Sequence, residues 1–458
     1  MPLILGTNSI KDTGYDVANS CRFDRASTDS MSKSMSDGSS IKGTFSAWIK
    51  VDGTSNEMNI LSHFQDTNNV FTISTTGSGV NVVDYNSGYS LQLSTNRLMR
   101  DPSAWFHLYI AIDRSQGTAD LRNRMFINGV EETSFSHRTN YSQQTSGGHE
   151  DAISMNDGQC TMYLGGLGDG NQMFGGYLAE LHWIDGTVPA VTEFGEFDED
   201  SGIWKPKLVS GISYGTNGFY LDFQDASNLG NDANGGTDLT ESNLASTNQS
   251  TDTCTNNFCT LNPLTKSSAT FSEGNLKQGG AGASAVATFG VSSGKWYFEQ
   301  KILGGNNEAH LGFALENSGI FKDNVTGSTV RGSGYVSLYS FDGKIYNEGS
   351  ATSSFGTFSA NDIVGFALDV DAGDIFLYQN GTVLNSGSAV VSGKTGKTWF
   401  PFGNFDSGNV TGIEHNFGGT QTFTISSGNT DGNGYGNFEY SVPSGYYALN
   451  TKNLAEYG

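Results

Sequence analysis

Residues 105–129 read WFHLYIAIDRSQGTADLRNRMFING, and this stretch decides the fold class. Apolar side chains recur close to every second residue in Trp105–Asp113 and again in Arg124–Asn128. That is the period of a β-strand with one buried face. Asn128-Gly129 follows the second run directly, and both residue types accept the positive φ that a two-residue hairpin turn demands. Working outward, Thr44–Val51 (TFSAWIKV), Val70–Ser74 (VFTIS) and Tyr177–Asp185 (YLAELHWID) carry the same period, the last followed by Asp185-Gly186, a second hairpin signal. Sustained 3.6 periodicity is missing. Pro189–Gly195 predicts one short helical turn, with Thr187 as its N-cap and Glu193 nearby.

Composition agrees. The chain has 458 residues, which suggests two domains, since all-β domains often exceed ~200 residues. Hydrophobic residues are only 36%, but 29 Phe, 19 Tyr and 6 Trp supply a sizeable core, which disordered chains lack. The 61 Gly against 7 Pro argue for many tight turns and against a collagenous or Pro-rich stalk.

Lys and Arg number 24 against 47 Asp and Glu, a net charge of −23. No basic run exists: the densest stretch, Arg114 to Arg124, includes Asp113 at its edge and Asp120 within it. Binding to nucleic acid or an anionic membrane surface is therefore not expected, because both need clustered cations. The acidic excess is compatible with high salt, where screening removes self-repulsion. Met1-Pro2-Leu3-Ile4-Leu5-Gly6 lacks a basic n-region and is too short an apolar run for a signal peptide. No apolar stretch approaches ~20 residues, so membrane insertion is not expected. Cys21, Cys160, Cys254 and Cys259 form no C-x-x-C and are expected as free thiols, Cys254–Cys259 being the only pair near enough in sequence to consider.

From about Gln224 to Asn257 the chain turns polar and nearly loses its aromatics. Strand-like runs resume at Ala285–Phe289, Lys295–Leu303, His310–Leu315, Gly334–Tyr339, Asp362–Asp369, Ile375–Gln379, Trp399–Phe402 and Thr411–Phe417. The expected organisation is all-β: two tandem antiparallel β-sandwich domains, 1–225 and 258–458, joined by a polar linker at 226–257. Phe258-Cys259-Thr260-Leu261-Asn262 echoes Tyr447-Ala448-Leu449-Asn450, a hint of a modular boundary.

Trp48, Trp105-Phe106-His107, Asn128-Gly129 and Gly176-Tyr177-Leu178-Ala179-Glu180 fall in an order that resembles a concanavalin A-like/laminin-G-like lectin domain over residues 15–190. Gly294-Lys295-Trp296-Tyr297-Phe298-Glu299, His310-Leu311-Gly312-Phe313-Ala314, Asn361-Asp362-Ile363-Val364-Gly365-Phe366 with Leu368-Asp369, Trp399-Phe400-Pro401 and Asn416-Phe417-Gly418 resemble the SPRY (B30.2) family over residues 258–458. Asn361 stands where that pattern has Gly, and the spacing from Phe376 to Asn380-Gly381 is one residue longer than usual. Both families are two-sheet jelly-roll sandwiches. With its opening MPLILGTNSIKDTGYDVANS and closing PSGYYALNTKNL, the pairing resembles structural proteins of tailed marine bacteriophages, which implies a virion component assembled in the host cytoplasm.

Concanavalin-like sandwiches include glucanases, whose paired carboxylates sit on alternate strand residues. The nearest candidate is Glu196-Phe197-Asp198-Glu199-Asp200, which reads as a solvated acidic loop. Asp369-Val370-Asp371-Ala372-Gly373-Asp374 opens like a calcium loop, but position 12 falls on Asn380, and a hairpin turn is the better reading. Asp151, Asn156 and Asp157 form a loose acidic set in a long loop, where the laminin-G-like resemblance implies room for structural calcium; no spacing identifies a site. His107, His182, His310 and His415 lie in strand-like runs and are expected to be hydrogen-bonded and structural. No G-x-S-x-G, P-loop or dinucleotide-binding glycine pattern is present. No catalytic residue and no cofactor is assigned.

Tyr85, Tyr89, Tyr141, Tyr339 and Tyr346 lie in or near turns and are candidates for a sugar-stacking platform, though the sequence alone assigns no binding residue. The expectation is a non-enzymatic virion surface protein, a short fibre, spike or collar component, with a host-surface glycan and other virion proteins as partners. A capsid decoration protein and a secreted glycan-binding lectin are the alternatives. A homo-oligomer is expected, a trimer above other states. The lack of coiled-coil heptads or β-helix repeats argues against a long shaft.

Overall fold

The computed structural model describes residues 14–53, 57–66, 68–77, 79–145, 156–158, 160–265, 268–280, 282, 284–304, 308–321, 325, 327–405 and 410–458. The chain is all-β, with antiparallel sheets and two short helices among the described residues. It divides into two compact units, Thr13–Thr255 and Asn256–Gly458.

In the first unit, strand Lys42–Val51 lies between Phe106–Asp113 and Gly176–Asp185. Phe45, Ala47, Ile49 and Val51 face the core, where they meet Phe71, Ile73, Val80, Val82, Leu91 and Leu93 of the opposing sheet. The alternate residues Ser46, Trp48 and Lys50 are also buried, because the other face of this sheet is covered in turn. Tyr109, Phe126, Ile184, Phe194 and Tyr214 form one covering cluster; Val17, Trp48, Ala179 and Trp204 form another. Covering on both faces buries residues of either parity, so these strands have two buried faces and not the single one that their near-two period predicts.

Local turn chemistry behaves as the residues require at one place and not at the other. Asn128 and Gly129 both adopt positive φ (49° and 73°) and join Asn123–Ile127 to Val130–Glu131 as an antiparallel hairpin. Asp185-Gly186 makes no hairpin. The Asp185 carboxylate accepts from the backbone N–H of Ser39 (2.7 Å) and Asn217 (3.2 Å), and Gly186 N–H donates to the Lys42 carbonyl (3.1 Å), so both residues are bonded to distant segments. The helical turn expected at 189–195 is a 3-10 turn, Val191–Glu193, whose N-cap position is Ala190 and not Thr187.

The polar segment expected as a linker, 226–257, folds almost entirely into the first unit. Thr240–Ser242 pairs with Ser30–Ser34, and Gln249–Ser250 pairs with Ser20–Phe23. Leu229 and Leu239 enter the core. The Asn248 amide donates to the Arg22 carbonyl (3.0 Å) and the Asp29 carboxylate (2.8 Å). Its polar side chains satisfy buried partners distant in sequence, so low hydrophobicity does not mark a spacer here.

In the second unit, Lys295–Leu303 lies between Ile363–Asp369 and Gly412–Asn416, and Ala309–Leu315 lies between Trp399–Phe405 and Tyr335–Tyr339 in the facing sheet. Phe298 stacks on Phe366 (5.2 Å) and meets Phe313 edge-on (5.4 Å) at the centre of the core. The two echoing segments meet: Phe258 bridges Asn450 in antiparallel fashion, and Cys259 N–H donates to the Leu449 carbonyl (3.0 Å). Asn450 then caps helix Thr451–Tyr457 by accepting from Asn453 N–H (2.9 Å). All four cysteines are free thiols.

Candidate binding sites

Four neighbouring strands of the first unit, Met58–Asp66, Asn69–Thr76, Gly79–Asn86 and Tyr89–Leu98, present a groove on the face turned away from the core. Strand alternation builds it. Phe71, Ile73, Val80 and Val82 point inward, so Val70, Thr72, Val83 and Tyr85 point out. The groove encloses about 570 Å³, within the range of small-ligand sites. Tyr85 and Tyr89 are cross-strand partners flanking the Ser87-Gly88 turn; their rings meet edge-on at 5.2 Å, and Tyr89 is 54% exposed.

The rim is polar and fixed. Gln172, at φ +50°, accepts from Asn59 N–H through its backbone carbonyl (2.9 Å) and from the Asn59 side-chain amide through its own (2.7 Å). Its NH₂ group donates to Glu57 (2.8 Å). Asp169 and Asn68 complete the rim, so among the described residues the lining holds two carboxylates and no cation. A sugar ring presents an apolar C–H face to a tyrosine and hydroxyls to amides and carboxylates, and this groove offers both.

The structure thus brings together Tyr85 and Tyr89 of the tyrosines named from sequence. Tyr141 does not belong with them: it is buried, its hydroxyl donates to the Asp84 carboxylate, and Arg114 lies over its ring (5.0 Å). Tyr339 and Tyr346 lie together in the second unit, 6.3 Å apart. The groove's other members were missed, although GVNVVDYN and YSLQLSTNRL both alternate and flank a Ser-Gly turn.

The acidic candidates fall elsewhere. Glu196 is on strand Gly195–Phe197 and not in a loop, paired with Trp204–Pro206; it and Asp198 reach the same partner, Lys205, at 3.7 and 3.3 Å. Hydrogen bonds from Ser201 hold the Asp198 carboxyl low, at about 2. Asp369 and Asp374 are paired residues of a hairpin with Gly373 at φ +69° in its turn, and Asp369 bonds Lys295 (2.7 Å) and Ala372 N–H (3.1 Å). Asn156 is buried; it accepts from the Trp183 indole (3.2 Å) and donates to the Ser39 carbonyl (2.9 Å). Asp151 lies outside the described residues. Among the described residues no group of three His, Cys, Asp or Glu side chains is placed to hold a metal ion, and no helix is long and apolar enough to cross a membrane.

A second titratable cluster is closed. Glu180, at a bulge with φ +47°, accepts from Tyr15 (3.3 Å) and Tyr220 (2.8 Å), and burial raises its carboxyl to about 7. His107 and His182 line the same space, which has no room for a water-sized molecule. His107 bonds Ser46 and Trp204, His182 bonds Tyr214, and His415 bonds Gln300. His310 departs from this pattern: it stacks on Tyr339 (4.4 Å, 5°), and neither ring nitrogen has a hydrogen-bond partner among the described residues.

The fold defines the class of the protein: an all-β chain of antiparallel sandwich sheets. Residues 295–419 match the SPRY domain family. No curated protein matches the chain. Among solved structures, the SPRY domain of human HERC1 is 17% identical, with 36% of this chain and 99% of that one covered (TM-score 0.30). A candidate carbohydrate-binding protein from Bacteroides ovatus is 15% identical, covering 50% and 58% (TM-score 0.34). An SAP-like pentraxin from Limulus polyphemus is 14% identical, covering 39% and 82% (TM-score 0.28).

Proposed function

We propose that this chain is a non-enzymatic recognition protein whose first unit binds a glycan in the Tyr85–Tyr89 groove. The observation that carries the reading is the pairing of an exposed tyrosine edge with a fixed rim of Asn68, Asp169, Gln172 and Glu57. The lack of a cation among the described lining residues favours neutral or amino sugars over uronic or sulfated ones. The likeness of the sequence to tailed-phage structural proteins supports a place on a virion surface, where several linked copies raise the apparent affinity of a weak site. A homo-oligomer, a trimer above other states, follows from that reading. Titration of the full chain with neutral, amino and acidic oligosaccharides, beside its Tyr89→Ala variant, is the test. Binding that is absent, or that is unchanged in the variant, overturns the assignment.

A further inference from the structure

The pair Asn-Gly occurs five times in the chain, at Asn128, Asn217, Asn234, Asn380 and Asn433. Such a pair carries a reaction of its own. Glycine has no Cβ, so its backbone nitrogen can approach the side-chain carbonyl of the asparagine before it. Attack needs that side chain free to swing towards the following nitrogen, and solvent base to take the N–H proton.

Four of the five side chains are held. Asn217 is buried, its carbonyl accepting from Ser36 N–H (2.8 Å) and its NH₂ donating to the Ser36 carbonyl (2.7 Å). The Asn128 carbonyl accepts from His107 N–H (2.7 Å). Asn380 accepts from Ile363 N–H (2.9 Å) and donates to the Asp362 carboxylate (2.7 Å). Asn433 donates to the Asn453 side-chain carbonyl (2.9 Å). Asn234 is different. It is exposed, and its backbone N–H donates to the Asp232 carboxylate (3.0 Å), but its side-chain amide makes no hydrogen bond among the described residues. Gly235 takes φ +86°, and nothing lies within 4 Å of the position a Cβ would occupy, so the space beside it is open. Its N–H donates to the Asp232 carbonyl (2.8 Å). Gly434 has the same restraint through the Asp431 carbonyl (3.0 Å), so the freedom of the side chain is what separates the two.

We infer that Asn234 is a modification site, where the folded chain converts asparagine spontaneously to aspartate and isoaspartate while the other four Asn-Gly pairs are spared. The Gly235 nitrogen gives its proton to solvent base and bonds to Asn234 Cγ. The Cγ–Nδ2 bond breaks, and ammonia leaves with a proton from solvent. Water then opens the succinimide ring at either carbonyl. Opening at Cγ gives aspartate; opening at the backbone carbonyl gives isoaspartate, which routes the main chain through one extra methylene. One amide and one water become one carboxylic acid and one ammonia, with no oxidant or cofactor. Either product adds a negative charge to the chain. The site does not rest on the glycan reading of the groove.

The experiment is peptide mapping by mass spectrometry of the full chain, aged in mildly alkaline buffer, native and in urea. All five pairs should convert in urea. In the native chain Asn234 should convert faster than each of the others by roughly tenfold or more, the population cost of opening one hydrogen bond. Hydroxylamine captures the succinimide and cuts the chain there; it should cut the native chain after Asn234 alone and the unfolded chain after all five asparagines. Asn234→Gln should abolish the native cut and the acidic charge variant, and keep the cuts in urea at the remaining four pairs. Asn234 is exposed, so this exchange removes no buried contact. Conversion of another pair as fast as Asn234 in the native chain overturns the inference. So does an inert Asn234 while the unfolded chain converts, or an unchanged native cut in the variant.

Discussion

Lys50 and Asp252 form an ion pair 2.7 Å long, with both side chains 1% exposed, across 202 residues of sequence. The second carboxylate oxygen of Asp252 accepts from the Trp105 indole (3.0 Å), and the Lys50 ammonium lies over the Tyr177 ring (5.5 Å). Two sheet strands and the polar segment after residue 225 are fastened at one buried point. Asp252→Ala would strand the Lys50 charge in a desolvated site, a loss of about 3–5 kcal/mol. Urea unfolding measures it. A change under ~1 kcal/mol would show that the polar segment is dispensable.

Acid should destabilise the fold in a residue-specific way. Burial lowers His63, His107, His182, His310 and His415 to about 3. The unfolded chain takes up these protons near pH 6.5, so stability falls as pH drops from 6.5 towards 3, by about 1.4 kcal/mol per unit for each histidine. Glu180 acts oppositely. Its carboxyl is raised to about 7, so its cost is full above pH 7 and is relieved as pH falls to 4.5. His63 has no hydrogen-bond partner at either nitrogen among the described residues, so His63→Leu removes one histidine's share without breaking a bond seen there. At pH 5 the variant should recover about 2 kcal/mol relative to pH 7. Parallel stability–pH curves for the two proteins would refute this account.

Tyr89→Ala should weaken glycan binding by tenfold or more, the worth of roughly 1.5 kcal/mol of ring stacking, and leave the melting temperature within a few degrees. Gln172→Ala should weaken it less, through loosening of Glu57. Calorimetry with the best oligosaccharide from the titration provides both numbers.

Replacing Glu196 and Asp198 together by Ala should leave both fold and binding in place, since the two acids share one partner, Lys205, and neither lines the groove of the first unit. Hydrolysis of a β-glucan by the native chain that disappears in the double variant would overturn the non-enzymatic assignment.

Self-association should be tighter near seawater ionic strength than in dilute buffer, because 47 acidic against 24 basic residues repel at low salt. Light scattering at the two salts reads this directly; a monomer at both would remove the homo-oligomer from the proposal.

Residue pattern alone settled the parts of this protein whose cause is local. Period-two alternation in Lys42–Val51 and Phe106–Asp113, and the positive φ that Asn128-Gly129 accepts, need no distant partner to be read. The motif strands of 295–419 belong to the same class. Tertiary structure decided what depends on partners far apart in sequence. Composition marks 226–257 as a spacer, but Asp252 finds Lys50 and Asn248 finds Arg22 and Asp29, and a polar segment with buried partners folds as part of a domain. Tyr85, Tyr89 and Tyr141 look alike along the chain. Strand register sends the first two to the open face and Asp84 draws the third inside, because the outcome rests on which atoms a hydroxyl meets and not on the residues beside it.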